Sequence, residues 1–285
     1  MSLLDHIDGW HPPARSRTER LTAEPARNLA RLLDQPWPTQ HDHDLPPLWH
    51  WLYFLDHLSQ SELGADGHPR DGEFLPPIPH RRRMFAGGRL TILHPLRIDD
   101  QVTKRSTLHN AAPKQGSKSE LLFITVRHEL TVNGRLHAVE ESDLVYRSED
   151  TTSPAATTAV ADDPAPASGA PWQFRPAVDP VLLFRFSALT ANAHRIHYDE
   201  THTRNVEGFP GLVVHGPLLA LLLLELPRRF APQGSVASFE FRARRPVFAG
   251  QPFVVHGNPD GGDNWSLGID TGSVSGAMTG KVRLQ

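Results

Sequence analysis

His197 follows Asn192 by five residues in the stretch FSALTANAHRIHYD, residues 186–199, and the chain then reads VEGFPGLVVHGP over residues 206–217. Polar residues crowd a segment that leads into an apolar run, a combination that suits a pocket with a few converging polar groups. Histidine exchanges protons near neutral pH. An asparagine amide can hold a water molecule or the imidazole ring. Gly216-Pro217 stands where a helix would begin, and the Gly216 N–H there could receive a developing oxyanion with the helix dipole behind it. A residue without a Cβ would let a substrate carbonyl come close. Addition of water to the double bond of an α,β-unsaturated thioester needs such a set. A base takes a proton from water, a proton reaches the α-carbon, and donors meet the enolate-like thioester oxygen.

Each residue also has a plainer reading. His197 could be a hydrogen-bonded core histidine, and Gly216 a helix-start glycine. His194 and His197 form a His-x-x-His pair with Asp199 nearby, but no second spaced cluster accompanies them, so no metal is expected. Arg195 would contact a substrate anion or pair with a neighbouring acid. Arg81-Arg82-Arg83 reads as a solvated run or, followed by Gly87-Gly88, as a holder of phosphates. His41-Asp-His43-Asp reads as a solvated loop.

Elements must bring these groups together. The leucine-rich segment LLALLLLELPRRF after Pro217 is apolar on every face, so it predicts a buried helix over Pro217–Arg229, ended by Pro227 and the arginine pair. Alternating runs after it predict strands at Ser235–Arg244, Pro252–Gly257, Asn264–Asp270 and Ser275–Leu284. Before residue 150, Arg89–His94, Gln101–Leu108, Leu121–Val132 and Leu136–Tyr146 read the same way, with the hairpin signal Asn133-Gly134 between the last two. Leu48–Leu55 is apolar and stands as a candidate for a matching helix. Residues 150–171 are rich in Ala, Pro, Thr and Ser and are expected to be a linker. The chain thus divides into residues 1–149, the linker 150–171 and residues 172–285, with the chemistry-bearing motif in the last part.

The 285 residues carry a net charge of −3, contain no cysteine and show no apolar run of membrane-spanning length. These features exclude disulfides and a cysteine nucleophile. They argue against nucleic acid and membrane as partners, and with the plain N-terminus they suggest a cytoplasmic protein.

The motif resembles the signature of the MaoC-like hydratase and dehydratase family, in which an Asp is followed five residues later by a His and then by a helix entered through His-Gly. Asn192 stands at the Asp, His197 at the His, and His215-Gly216 at the helix entry. LPPLWHWLYF at 45–54, RRMFAGGR at 82–89, His128-Glu129 and EESDLVYR at 140–147 resemble the two-domain branch of that family, the type 2 hydroxyacyl-thioester dehydratases and the mesaconyl-C4-CoA and itaconyl-CoA hydratases. The resemblance implies an α+β double hot-dog, each module a long helix wrapped by a curved antiparallel sheet. It implies a hydro-lyase acting on a short branched dicarboxylic enoyl-CoA, with no cofactor beyond the CoA of the substrate. Asn192, His197 and Gly216 would be catalytic, and Arg195, Tyr198, His215, Arg82 and Arg83 would bind substrate. A two-fold homodimer is expected. A 3-hydroxyacyl-thioester dehydratase, a hot-dog thioesterase using Asp199 or Glu207, and a non-catalytic acyl-thioester-binding subunit remain as alternatives.

Overall fold

The computed structural model describes residues 3–36, 44–72, 74–78, 81–115, 120–148, 164 and 166–285. Residues 41–43 and most of the 150–171 stretch lie outside the described residues. The first part runs α1 (Leu3–Ile7), β1 (Arg15–Arg20), α2 (Ala23–Leu32), β2 (Arg81–Ile92), β3 (Gln101–Gln115), β4 (Glu120–Val132) and β5 (Arg135–Ser148). The second runs β6 (Trp172–Phe174), α3 (Pro180–Leu189), α4 (Glu200–Asn205), α5 (Gly216–Phe230), β7 (Val236–Ala243), β8 (Phe253–Pro259), β9 (Asn264–Thr271) and β10 (Met278–Leu284).

All ten strands join one antiparallel sheet in the order β1-β3-β4-β5-β2-β7-β10-β9-β8-β6. Counted outward from the β2–β7 seam, both halves place their five strands in the same order: second, fifth, fourth, third, first. At the seam Gly87 pairs with Arg242 and Gly88 with Phe241. The two glycines therefore sit in a strand ladder and are not a phosphate-binding loop after the arginines. Asn133 and Gly134 both have positive φ, 50° and 78°, as a type I′ hairpin turn between β4 and β5 demands.

Helix α5 packs on β6, β7, β8, β9 and β10 and crosses the seam to touch β2. Leu218 through Pro227 are all buried, which is why the sequence needs leucine on every face. Each buried leucine contributes about 1.5–3 kcal/mol. The helix continues through Pro227 to Phe230 rather than stopping there. The ring's missing N–H falls near the end, and Arg228 and Arg229 reach back to buried Glu225 at 3.4 and 3.6 Å.

The first half has no such helix among the described residues. Leu48–Leu55, the sequence candidate, holds only a 3-10 turn over Trp49–Leu52, with Leu48 and Phe54 both at positive φ. Two prolines precede it, and its side chains have other commitments. His50 Nε2 and Trp51 Nε1–H meet the buried Glu140 carboxylate at 2.6 and 2.7 Å. Burial alone would push Glu140 up, but the adjacent His50 and these hydrogen bonds hold it down at about 2. Instead, α2 packs on α3 of the other half, and one continuous apolar core runs through both.

Candidate active site

Helix α3 begins on a cap, Asp179, whose carboxylate accepts the Leu182 N–H at 2.8 Å, with Pro180 in its first turn. It ends at Leu189, and Ala191 takes a left-handed φ of 49° that turns the chain sharply. Asn192 follows. Its N–H donates to the Ser187 carbonyl at 2.9 Å, and its Oδ1 accepts the His194 N–H at 3.0 Å. The side-chain NH2 makes no bond to a described residue. Asn192 thus offers a donor to a cavity of about 650 Å³ that it lines with Arg83, Tyr198, Pro217 and His68.

His197 sits on a 3-10 turn, and its Nδ1 donates to the Val213 carbonyl at 2.7 Å. A carbonyl only accepts, so the proton is fixed on Nδ1 and the lone pair on Nε2. Burial pushes the group down to about 4. The imidazole is therefore neutral at neutral pH, the form a base requires. His197 is 6% exposed, one residue before Tyr198, which lines the cavity.

His215 stacks flat on His197, ring centres 3.6 Å apart, and its Nε2 meets the Ser187 hydroxyl at 2.9 Å. It has no exposed surface. The sequence placed it against the substrate. The structure buries it instead, where it supports the His197 ring. Gly216 opens α5, and its N–H has no partner among the described residues. Its missing Cβ makes room for a side chain: a Cβ there would come 2.5 Å from Phe85 Cδ1. The space of the missing Cβ at Gly216 is thus taken up by the Phe85 ring.

Arg195 is committed to the protein. Its guanidinium pairs with Asp199 at 2.7 Å and donates to the Ala65 carbonyl at 3.1 Å. Asp199 in turn caps α4 by accepting the His202 N–H at 2.9 Å. His202 and Arg195 together hold its carboxyl below the usual range. Arg82 pairs with Glu207 at 3.3 Å. Tyr198 is 43% exposed and donates to the Ala193 carbonyl at 2.9 Å. Of the sequence-selected set, Asn192, Tyr198 and Arg83 share one cavity, which Pro217 beside Gly216 also lines. Arg195 and His215 serve the scaffold.

The sequence reading missed the segment that closes this site, residues 59–70 of the first half. Asp66 accepts the Arg195 N–H on its backbone carbonyl at 2.9 Å. Gly67 has φ 87°, and a Cβ there would fall 1.8 Å from the Ala193 carbonyl oxygen. Only glycine permits so close an approach. The His68 ring lies against that of His194, centres 3.8 Å apart and planes tilted by 36°. Donor atoms of Asp66, His68 and His194 lie within 4.8 Å of one another. Two of the three already bond each other, Asp66 Oδ2 with His68 Nδ1 at 3.0 Å. Burial, aided by His68 and His197, takes His194 down to about 2. The Asp66-Gly-His68 step carries little signal alone in a chain with 17 histidines. Its partners lie more than 120 residues away.

The sequence model of hydroxyacyl-thioester dehydratase type 2 matches residues 48–249, most of the chain. The chain belongs to this family. As a type 2 dehydratase family member it is 45% identical over 223 residues to the mesaconyl-C4-CoA hydratase of Chloroflexus aurantiacus, covering 77% of each chain. Its fold matches a MaoC-like dehydratase from Phytophthora capsici with TM-score 0.69 at 14% identity, over 99% of this chain and 98% of that one. It also matches a double hot-dog protein of Mycobacterium tuberculosis with TM-score 0.56 at 14% identity, over 98% of each. The α+β double hot-dog expected from the sequence is therefore the fold of this family member. The first module keeps the five-stranded order, without a long helix among the described residues. No helix among the described residues is long and apolar enough to cross a membrane.

Proposed function

We propose that the protein hydrates a short branched dicarboxylic α,β-unsaturated acyl-CoA such as mesaconyl-C4-CoA or itaconyl-CoA. The observation that carries this reading is that the Asn192 amide donor and Pro217, in the uncapped first turn of α5, line one cavity, while the neutral His197 of the same loop keeps Nε2 without a partner among the described residues. Likeness to a mesaconyl-C4-CoA hydratase over most of the chain supports the substrate class. His197 takes a proton from water held by Asn192. The water oxygen bonds the β-carbon, and the double-bond electrons pass toward the thioester oxygen. The Gly216 N–H receives that oxygen, and protonation at the α-carbon completes the addition. Arg83, which makes no ion pair with a described residue, is a binding residue for the anionic substrate, with Tyr198 beside it. Arg82 is assigned a smaller share because Glu207 already neutralises it.

The catalytic module is residues 172–285, with residues 1–149 completing its pocket across the 150–171 linker. The absence of cysteine suits a cytoplasmic enzyme, and a two-fold homodimer is the expected assembly. The reverse reaction, dehydration of a 3-hydroxyacyl thioester, is the second reading, favoured by the family's own chemistry. A thioesterase is disfavoured because Asp199 and Glu207 are both tied to arginines.

The test is loss of enoyl absorbance with mesaconyl-C4-CoA and the purified chain. His197→Ala should lose about 100- to 10,000-fold in turnover, the usual worth of a general base, while the CoA ester still binds. Full activity in that variant would remove the mechanism, and no turnover by the parent on any enoyl-CoA would remove the function.

A further inference from the structure

Asn192 leaves a gap in the chemistry, because an amide cannot exchange a proton as the family's carboxylate can. The cavity wall contains a group that can. His68 lines the 650 Å³ cavity together with Asn192, and on its other side it lines a second cavity of about 370 Å³ with Asp66 and Arg83. The Asp66 carboxylate grips it twice: Oδ1 accepts the His68 backbone N–H at 3.0 Å, and Oδ2 accepts Nδ1–H at 3.0 Å. That pair fixes the tautomer and leaves the Nε2 lone pair with no partner among the described residues. A carboxylate orienting a histidine in this way is the recurrent arrangement of a proton-transfer pair.

The histidine is also held in place relative to the catalytic loop. Its ring lies tilted against His194, its neighbour Gly67 presses on the Ala193 carbonyl, and the Asp66 and Ala65 carbonyls accept from Arg195. We propose that His68, contributed by the first half and oriented by Asp66, is a second catalytic residue that exchanges the proton at the substrate α-carbon. The proposal rests on the hydratase reading above. In the dehydration direction its Nε2 takes the α-proton, and the C–H electron pair moves to the thioester oxygen. The β-hydroxyl then leaves as water with the proton that His197 carries. Hydration runs the same steps backwards. Both imidazoles rest neutral, so each direction begins with one proton taken from solvent. In hydration His68 Nε2 takes it and passes it to the α-carbon; in dehydration His197 Nε2 takes it and passes it to the hydroxyl. The other histidine releases to solvent the proton it gains. The charged and titratable groups around His68 are Asp66, Arg83, His194, His197 and Glu207. Burial lowers His68, so the resting imidazole is neutral, while the Asp66 carboxyl, desolvated but bonded to His68, lies well below its ordinary range.

The experiment compares His68→Asn and His197→Ala in two reactions. One is hydration of mesaconyl-C4-CoA. The other is deuterium uptake at the α-carbon of methylsuccinyl-C4-CoA in heavy water, which needs no departing hydroxyl. His68→Asn should lose about 100-fold or more in both with little change in KM, and imidazole should restore part of the turnover of His68→Ala. His197→Ala should lose hydration and keep exchange. Asp66→Asn, which leaves the imidazole but loosens it, should fall between, and it serves as the test if His68→Asn does not fold. Hydration within about threefold of the parent in His68→Asn, or exchange lost only in His197→Ala, overturns the assignment. So does restoration of a chelator-treated enzyme by zinc, which would make Asp66, His68 and His194 a metal site. A parent protein that hydrates no enoyl-CoA overturns the hydratase reading itself, a separate result.

Discussion

Replacing Gly216 by alanine places a methyl group where the Phe85 ring lies. The added Cβ would stand 2.5 Å from Phe85 Cδ1, 3.3 Å from Cγ and 3.4 Å from Cε1. An ordinary contact begins near the last of these, so the ring or the helix end must move by about 1 Å. Phe85 has little freedom to do so. It stacks on Phe241 at 5.7 Å and meets the edge of Trp51 at 6.3 Å, and Phe241 in turn stacks on Phe239 at 5.2 Å. Overpacking of this kind costs about 1–3 kcal/mol. The stiffer unfolded chain of an alanine variant returns roughly 0.4–1 kcal/mol. The net is a loss of about 1–2 kcal/mol, or roughly 2–4 °C in Tm for a chain of this size. If the helix end yields instead of the ring, the Gly216 N–H shifts from the oxyanion position, and a 1 Å error there costs about 100-fold in kcat/KM. Thermal melts and enoyl-CoA hydration kinetics read both quantities. Phe85→Leu in the same chain should recover most of the loss, because the two positions are coupled through one contact. A Gly216→Ala protein with unchanged Tm and activity, or a double variant no better than the single, would show that the ring does not dictate the glycine.

Asn192→Asp restores a carboxylate of equal size at the start of the motif. Measurable hydration with an altered pH profile is expected, and complete inactivity would mean that the amide donor itself is required. Acidification should weaken the fold. Burial sets His128 and His197 at about 4, below the roughly 6.5 of the unfolded chain. Between those values the unfolded state binds more protons, so stability falls as pH drops from about 6.5 toward 4, by about 1–2 kcal/mol per histidine at pH 5. A Tm that stays level from pH 7 to pH 5 would contradict this burial.

The parts that were legible in the sequence are those whose burial is periodic. Helix α5 announced itself by leucine on every face, and β4 and β5 by alternation around Asn133-Gly134. The hidden parts lack that signal. Strand β1 is RSRTER, whose half-buried face is Arg15, Arg17 and Glu19. Its arginines are satisfied by Asp56 rather than by an apolar core. Leu48–Leu55 is apolar without being helical, because its polar tips are drawn to Glu140. The Asp66–His68 pair is invisible for another reason. Its meaning depends on a contact with Ala193, His194 and Arg195, and no local pattern encodes a contact at that separation.

The repeated topology explains why the first half reaches into the site at all. In each half the first and second strands are separated by almost the same length of chain, residues 21–80 in one and 175–235 in the other. The second stretch begins with α3, holds Asn192 and His197, and ends in α5. The first begins with α2, which packs directly on α3, as equivalent elements would across a two-fold seam. After α2 the described residues of the first stretch build no long helix, and α5 crosses the seam onto β2 and shares one core with both halves. A second long helix would have to displace that core. Residues 65–68 of the first stretch therefore lie against the loop of the other half, and the backbone bond from Arg195 to Asp66 fixes them there. One half supplies the helix terminus and His197, and the other supplies the wall that carries His68 and Arg83.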